Sequence, residues 1–139
     1  KYRLDVIALA VNKETLQYDL KKIQYQFTEK KPDVTIINHA SNVCGVIAPA
    51  NQIAELAKRH KSITVLDMCQ SAGLIDVALN DGTIDFAVFA GHKTLYGPLG
   101  IGGFICSPAI KPLPLLFGGT GIDSANQDLP DTIPERYEI

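Results

Sequence analysis

Val34-Thr35-Ile36-Ile37, the segment from Pro49 to His60, and Ile63-Thr64-Val65-Leu66 together decide the fold. The first is an uninterrupted β-branched run, typical of a strand covered on both faces. In the second, Ile53, Leu56 and Ala57 recur at helical spacing behind a proline suited to a first turn. The third is another short apolar run. Strand, helix, strand in this order predicts a parallel pair joined by a right-handed crossover. Upstream, Leu4 to Val11 reads as a strand and Lys13 to Thr15 as a polar turn. Leu16, Leu20, Ile23 and Phe27 then mark a helix that Lys30-Lys31-Pro32-Asp33 breaks. Downstream, Asp85 to Phe89 and Ile101 to Cys106 read as further strands. From Pro112 the proline and glycine content rises and regular structure fades. The expected class is α/β, a mostly parallel sheet flanked by helices, with no internal repeat.

The composition narrows the function. The chain has 139 residues, 46% of them hydrophobic, enough for one domain with a true core. Its formal charge of -2 leaves no basic footprint for nucleic acid. No apolar run approaches the roughly 20 residues that span a bilayer, and no signal peptide is visible. The cysteines Cys44, Cys69 and Cys106 form no CxxC and no metal-like cluster. They read as reduced thiols in a cytoplasmic setting. With no initiator Met and a stop at Tyr137-Glu138-Ile139, the chain is expected to be a piece of a longer polypeptide.

In a parallel sheet, ligands bind outside the carboxyl ends of the strands. The polar residues fall there. Asn42 follows the first of the three runs. Asp67 ends the second strand, with Gln70 close behind. Ala90-Gly91-His92-Lys93 follows Phe86-Ala87-Val88-Phe89 and precedes the glycine-rich stretch from Tyr96 to Gly103. A lysine amine joins an aldehyde as a Schiff base when burial or nearby charge lowers its pKa. A carboxylate beside a pyridine nitrogen keeps that nitrogen protonated, and the ring then accepts electron density. A buried base and a buried acid at neighbouring strand ends therefore suggest an aldehyde cofactor of the pyridoxal phosphate type. Lys93 would be its Schiff-base residue and Asp67 its ring partner. Gln70 could donate to the phenolic oxygen, and His92 with nearby amides could hold phosphate. Each has a plainer reading as well. Lys93 could be a solvated surface residue, Asp67 a helix cap, Asn42 an Asx-turn, His92 and His39 structural hydrogen-bonding residues, and the cysteines small buried hydrophobes.

The segments SNVCGVIAP, VLDMCQSAG and DFAVFAGHKTLYGPLGIGGF resemble the class V aminotransferase family. The likeness is nearest to its cysteine desulfurase and selenocysteine lyase-like branch. It runs through Gly118-Gly119-Thr120-Gly121, Leu129-Pro130 and the segment from Pro134 to Glu138. It implies the large, cofactor-binding domain of a fold type I pyridoxal phosphate enzyme, incomplete in this chain. Residues 1–117 would belong to that domain. Residues 118–139 would lie near a dimer interface and lead toward a C-terminal domain. The resemblance carries Lys93 over as the Schiff-base lysine, Asp67 as the ring-nitrogen partner and Gln70 as the phenolic-oxygen donor. It puts His92 near the phosphate, Asn42 near the cofactor or the substrate carboxylate, and Thr120 at the phosphate of the neighbouring subunit. It implies a homodimer with a shared site, an amino-acid substrate and a sulfur-acceptor protein as partner.

Three positions depart from the family pattern. Ala90 stands where a serine is frequent, Cys69 where a small residue is usual, and Cys44 where Thr or Leu is common. The sulfur-accepting cysteine of the family lies in a later loop, so none of the three cysteines is read as that group. The expected activity is removal of sulfur from cysteine to leave alanine. An aminotransferase, another lyase on the same scaffold and a non-catalytic scaffold remain alternatives. A nucleotide-binding domain is disfavoured, because neither GxGxxG before a helix nor GxxxxGK[ST] occurs.

Overall fold

A computed structural model describes residues 3–114, 129, 131–132 and 135–137. Its order is α1 (Leu20–Lys30), β1 (Val34–Asn38), α2 (Ala50–Arg59), β2 (Ile63–Asp67), β3 (Phe86–Ala90) and β4 (Gly102–Cys106). The strands lie side by side in that order. β1 and β2 pair in parallel, as do β2 and β3, whereas β4 returns antiparallel to β3. The antiparallel edge follows from the short link 91–101, which holds no helix to carry the chain back across the sheet.

Local chemistry sets the element ends. Asp19 caps α1 by accepting from the Lys22 N–H at 3.1 Å, so the helix starts at Leu20 rather than Leu16. Leu16 instead has a left-handed backbone, φ 58°. At the other end Lys31 takes the left-handed conformation and its N–H reaches the Phe27 carbonyl. Helix α2 begins directly after Pro49 and ends at His60, close to the sequence reading. The side chain of Asp85 accepts from the Thr64 N–H at 2.8 Å, and so extends the β2–β3 ladder.

The core lies on one face of the sheet. Ile23 and Phe27 of α1 and Ile53, Ala54 and Ala57 of α2 are buried with Ile37, Leu66 and Ala87 of the strands. Each large apolar side chain removed from water there contributes about 1.5–3 kcal/mol. The opposite face is bare: Ile36 is 67% exposed and Val34 50%. The β-branched run expected to be covered on both faces is thus covered on one.

The expected strand over Leu4–Val11 does not form. Leu4 and Val6 are exposed, and the segment makes only an isolated antiparallel bridge, Val11 with Tyr18, among the described residues. The Gln26 side chain instead donates to the Ala8 carbonyl (2.9 Å) and accepts from the Ala10 N–H (3.0 Å). Strand propensity expresses packing against neighbours, and here the neighbour is a helix side chain.

The chain divides into two compact units, Lys1–Ser107 and Pro108–Ile139. In the second, Arg136 pairs with Asp131 at 2.6 Å and the Tyr137 hydroxyl donates to the Pro112 carbonyl at 2.8 Å. The expected boundary between 117 and 118 lies outside the described residues.

Candidate active site

The parallel register aligns Asn38, Asp67 and Val88 across three neighbouring strands. The residues that follow each strand therefore emerge at one edge of the sheet. Behind β1, residues 39–48 form a small hairpin-like loop, with Ser41 N–H on the Val46 carbonyl and Ala48 N–H on the His39 carbonyl. The Ser41 hydroxyl accepts from the Val43 and Cys44 amides and shapes the tip. Asn42 is exposed on that tip.

Behind β2 the chain turns at once. Asp67 is half-buried, and its Oδ1 accepts from the Cys69 N–H at 2.9 Å. This bond fixes the carboxylate over the turn that carries Gln70, also half-buried. The Asp67 carboxylate beside Cys69, with burial, pushes the thiol up, while the positive charge of Lys93 pulls the other way. Asp67 and Lys93, far apart in sequence, thus act on the same sulfur.

Behind β3 the chain forms a closed loop. Gly91 N–H donates to Ile101 and Gly97 N–H donates back to Gly91, each at 2.8 Å. His92 and Lys93 ride exposed on this loop. The buried base expected from sequence is therefore exposed among the residues present. The next side chain, Thr94, has a buried hydroxyl with no hydrogen-bond partner. Glycine is required at 97, because a Cβ there would stand 2.9 Å from the Gly91 carbonyl oxygen. Thr120 lies outside the described residues.

Sequence reading gave His39 a structural hydrogen-bonding role but no partner, and the structure supplies one. His39 is 3% exposed and Ser71 fully buried. Their Nδ1 and Oγ atoms are 2.8 Å apart. Burial pushes His39 below its ordinary value, which favours the neutral ring. Nothing periodic links the two residues; the only sequence signal was a histidine directly behind an apolar strand. Among the described residues, no group of His, Cys, Asp or Glu could hold a metal ion, and no helix is long and apolar enough to cross a membrane.

Residues 1–138 match the family model described as Aminotransferase class-V. The chain is 35% identical over 126 residues to Probable cysteine desulfurase 2 of Mycobacterium leprae, covering 88% of this chain and 29% of that protein. It is 41% identical over 96 residues to Probable cysteine desulfurase of Halalkalibacterium halodurans, covering 68% of this chain and 23% of that protein. Among solved structures it resembles the apo cysteine desulfurase of Thermococcus onnurineus NA1. The TM-score is 0.71 at 31% identity, over 88% of this chain and 31% of that one. The chain spans less than a third of each of these relatives.

Proposed function

The chain belongs to the aminotransferase class-V family, and from that premise we propose that it carries the cofactor-binding part of a cysteine desulfurase-like enzyme using pyridoxal phosphate. The observation that carries the reading is the shared edge. Asp67 with Gln70, and His92 with Lys93, directly follow strands paired in register, beside the Asn42 loop. The donor set fits the group. It offers a carboxylate with one oxygen already anchored, an amide, an amine and the unpartnered Thr94 hydroxyl. When bound, pyridoxal phosphate supplies a carbonyl for an amino group and a protonated ring that accepts electron density from the α-carbon.

In this reading the Cys69 N–H orients Asp67, which holds a proton at the ring nitrogen. Gln70 donates to the phenolic oxygen. Lys93 Nζ would hold the cofactor and would serve as the base that moves the α-proton. His92 and the amides of its loop bind phosphate. Asn42 lies close to the cofactor or the substrate carboxylate, and Thr120 serves the phosphate of a second subunit in a cytoplasmic homodimer. Residues 1–117 belong to the large domain, and 118–139 lead toward the interface. The sulfur leaves cysteine for an enzyme thiol outside this chain, and from there passes to an acceptor protein.

The test is borohydride reduction of the full-length protein loaded with pyridoxal phosphate, followed by peptide mapping. The expected result is a single pyridoxyl label on Lys93 and loss of visible absorption in Lys93→Ala. A label elsewhere, or an unchanged spectrum, overturns the assignment. Incubation with L-cysteine should release alanine; a keto acid instead would point to an aminotransferase.

A further inference from the structure

His39 sits where three parts of the site edge meet. Its N–H donates to the Asp67 carbonyl and its carbonyl accepts from the Ala48 N–H, each at 2.9 Å. Its ring Nδ1 meets Ser71 Oγ at 2.8 Å, with both side chains buried. Ser71 in turn organises the turn behind β2. Its N–H donates to Met68, and its carbonyl accepts from Leu74 and Ile75. One side chain thus links the base of the loop that carries Asn42 to the turn that carries Asp67, Cys69 and Gln70. The β1–β2 ladder ends at the His39 N–H to Asp67 carbonyl bond, and the side-chain pair ties the two loops together beyond that point. A buried polar pair keeps its geometry because breaking it strands both partners away from water.

We propose that the His39–Ser71 hydrogen bond is a positioning pair that sets Gln70 and Asp67 relative to the Asn42 loop, and so governs how tightly the site holds pyridoxal phosphate. The proposal rests on the cofactor reading above. Neither residue touches the cofactor in this scheme. Each acts through the loop it anchors, as groups behind a binding shell commonly do.

The experiment compares His39→Ala, Ser71→Ala and His39→Asn with the unaltered full-length protein. Pyridoxal phosphate affinity is measured by absorbance titration, and iodoacetamide labelling of Cys69 is followed in the cofactor-free protein. Ile53→Val, in the core of α2, serves as the stability control. The two alanine variants are expected to bind about tenfold more weakly and to label Cys69 several-fold faster. His39→Asn, whose amide can stand where Nδ1 does, should recover most of the affinity. Ile53→Val should lower Tm and leave affinity alone. If the alanine variants lose Tm but bind within about twofold of the unaltered protein, the pair is merely structural and the proposal fails. It fails equally if His39→Asn binds no better than His39→Ala. If Cys69 labelling accelerates but the unaltered protein takes up no cofactor on Lys93, the coupling of the two loops stands. In that case the cofactor reading falls, and with it the role in binding.

Discussion

The three thiols differ in surroundings more than in sequence context. Cys44 is exposed at the tip of the loop behind β1. The Ser41 hydroxyl and the Val46 backbone hold its thiol below the ordinary range. Cys69 is raised, chiefly by its hydrogen bond to Asp67. Cys106 is raised by burial and by the charge of Asp85. Only the thiolate is nucleophilic, so reactivity should follow both exposure and this order. Mass mapping after brief iodoacetamide treatment at neutral pH is expected to find Cys44 alkylated well before the other two. Ser41→Ala should slow it, since the hydroxyl that steadies the thiolate is lost. Faster labelling of Cys69 in the unaltered protein would show that the Asp67 carboxylate does not face the sulfur as described.

Between elements, much depends on how the loop behind β3 closes. Gly97 donates to the Gly91 carbonyl and leaves no room for a side chain against that same oxygen. Gly97→Ala forces backbone against backbone, and overpacking of this kind costs about 1–3 kcal/mol. Urea unfolding should show that loss, and the pyridoxyl label on Lys93 should fall with it, because Lys93 rides on the loop. A change below about 0.5 kcal/mol, the range of ordinary surface substitutions, would mean the loop is open. The sequence made β1, α2 and β2 legible almost to the residue. Their apolar runs are short, bounded by Pro32-Asp33, Pro49 and His60, and each meets a partner within the chain. It also placed Asp67, Gln70 and Lys93 at one edge, since a polar residue ending an apolar strand has few other places to go. It misplaced the start of α1, where the Asp19 cap outweighed the apolar spacing from Leu16. It read Leu4–Val11 as a strand, because propensity says nothing about whether a neighbour exists. The bond between His39 and Ser71 was illegible for the same reason. It joins two loops whose approach is set by strand register, not by any local pattern.

For the whole molecule the sheet poses an asymmetry. Parallel sheets bury both faces in the folds that use them, yet α1 and α2 cover only the face of Ile37, Leu66 and Ala87. On the other face Val34, Ile36 and Ile63 are exposed. The register places Ile36 opposite Val65, and Val65 opposite Phe86, the last two half-buried, so the exposed side chains continue into an apolar strip rather than standing as isolated spots. A strip of this kind draws apolar surface to itself. Residues 1–139, expressed alone, are therefore expected to self-associate as concentration rises, as read by sedimentation velocity. Ile36→Lys should shift the distribution toward monomer. It should cost little stability, because the side chain is two-thirds exposed and contributes little to the core. Ile37→Lys, one residue along and fully buried on the covered face, should instead prevent folding. A monodisperse monomer at every concentration, unaffected by Ile36→Lys, would show that the strip is already covered within the chain.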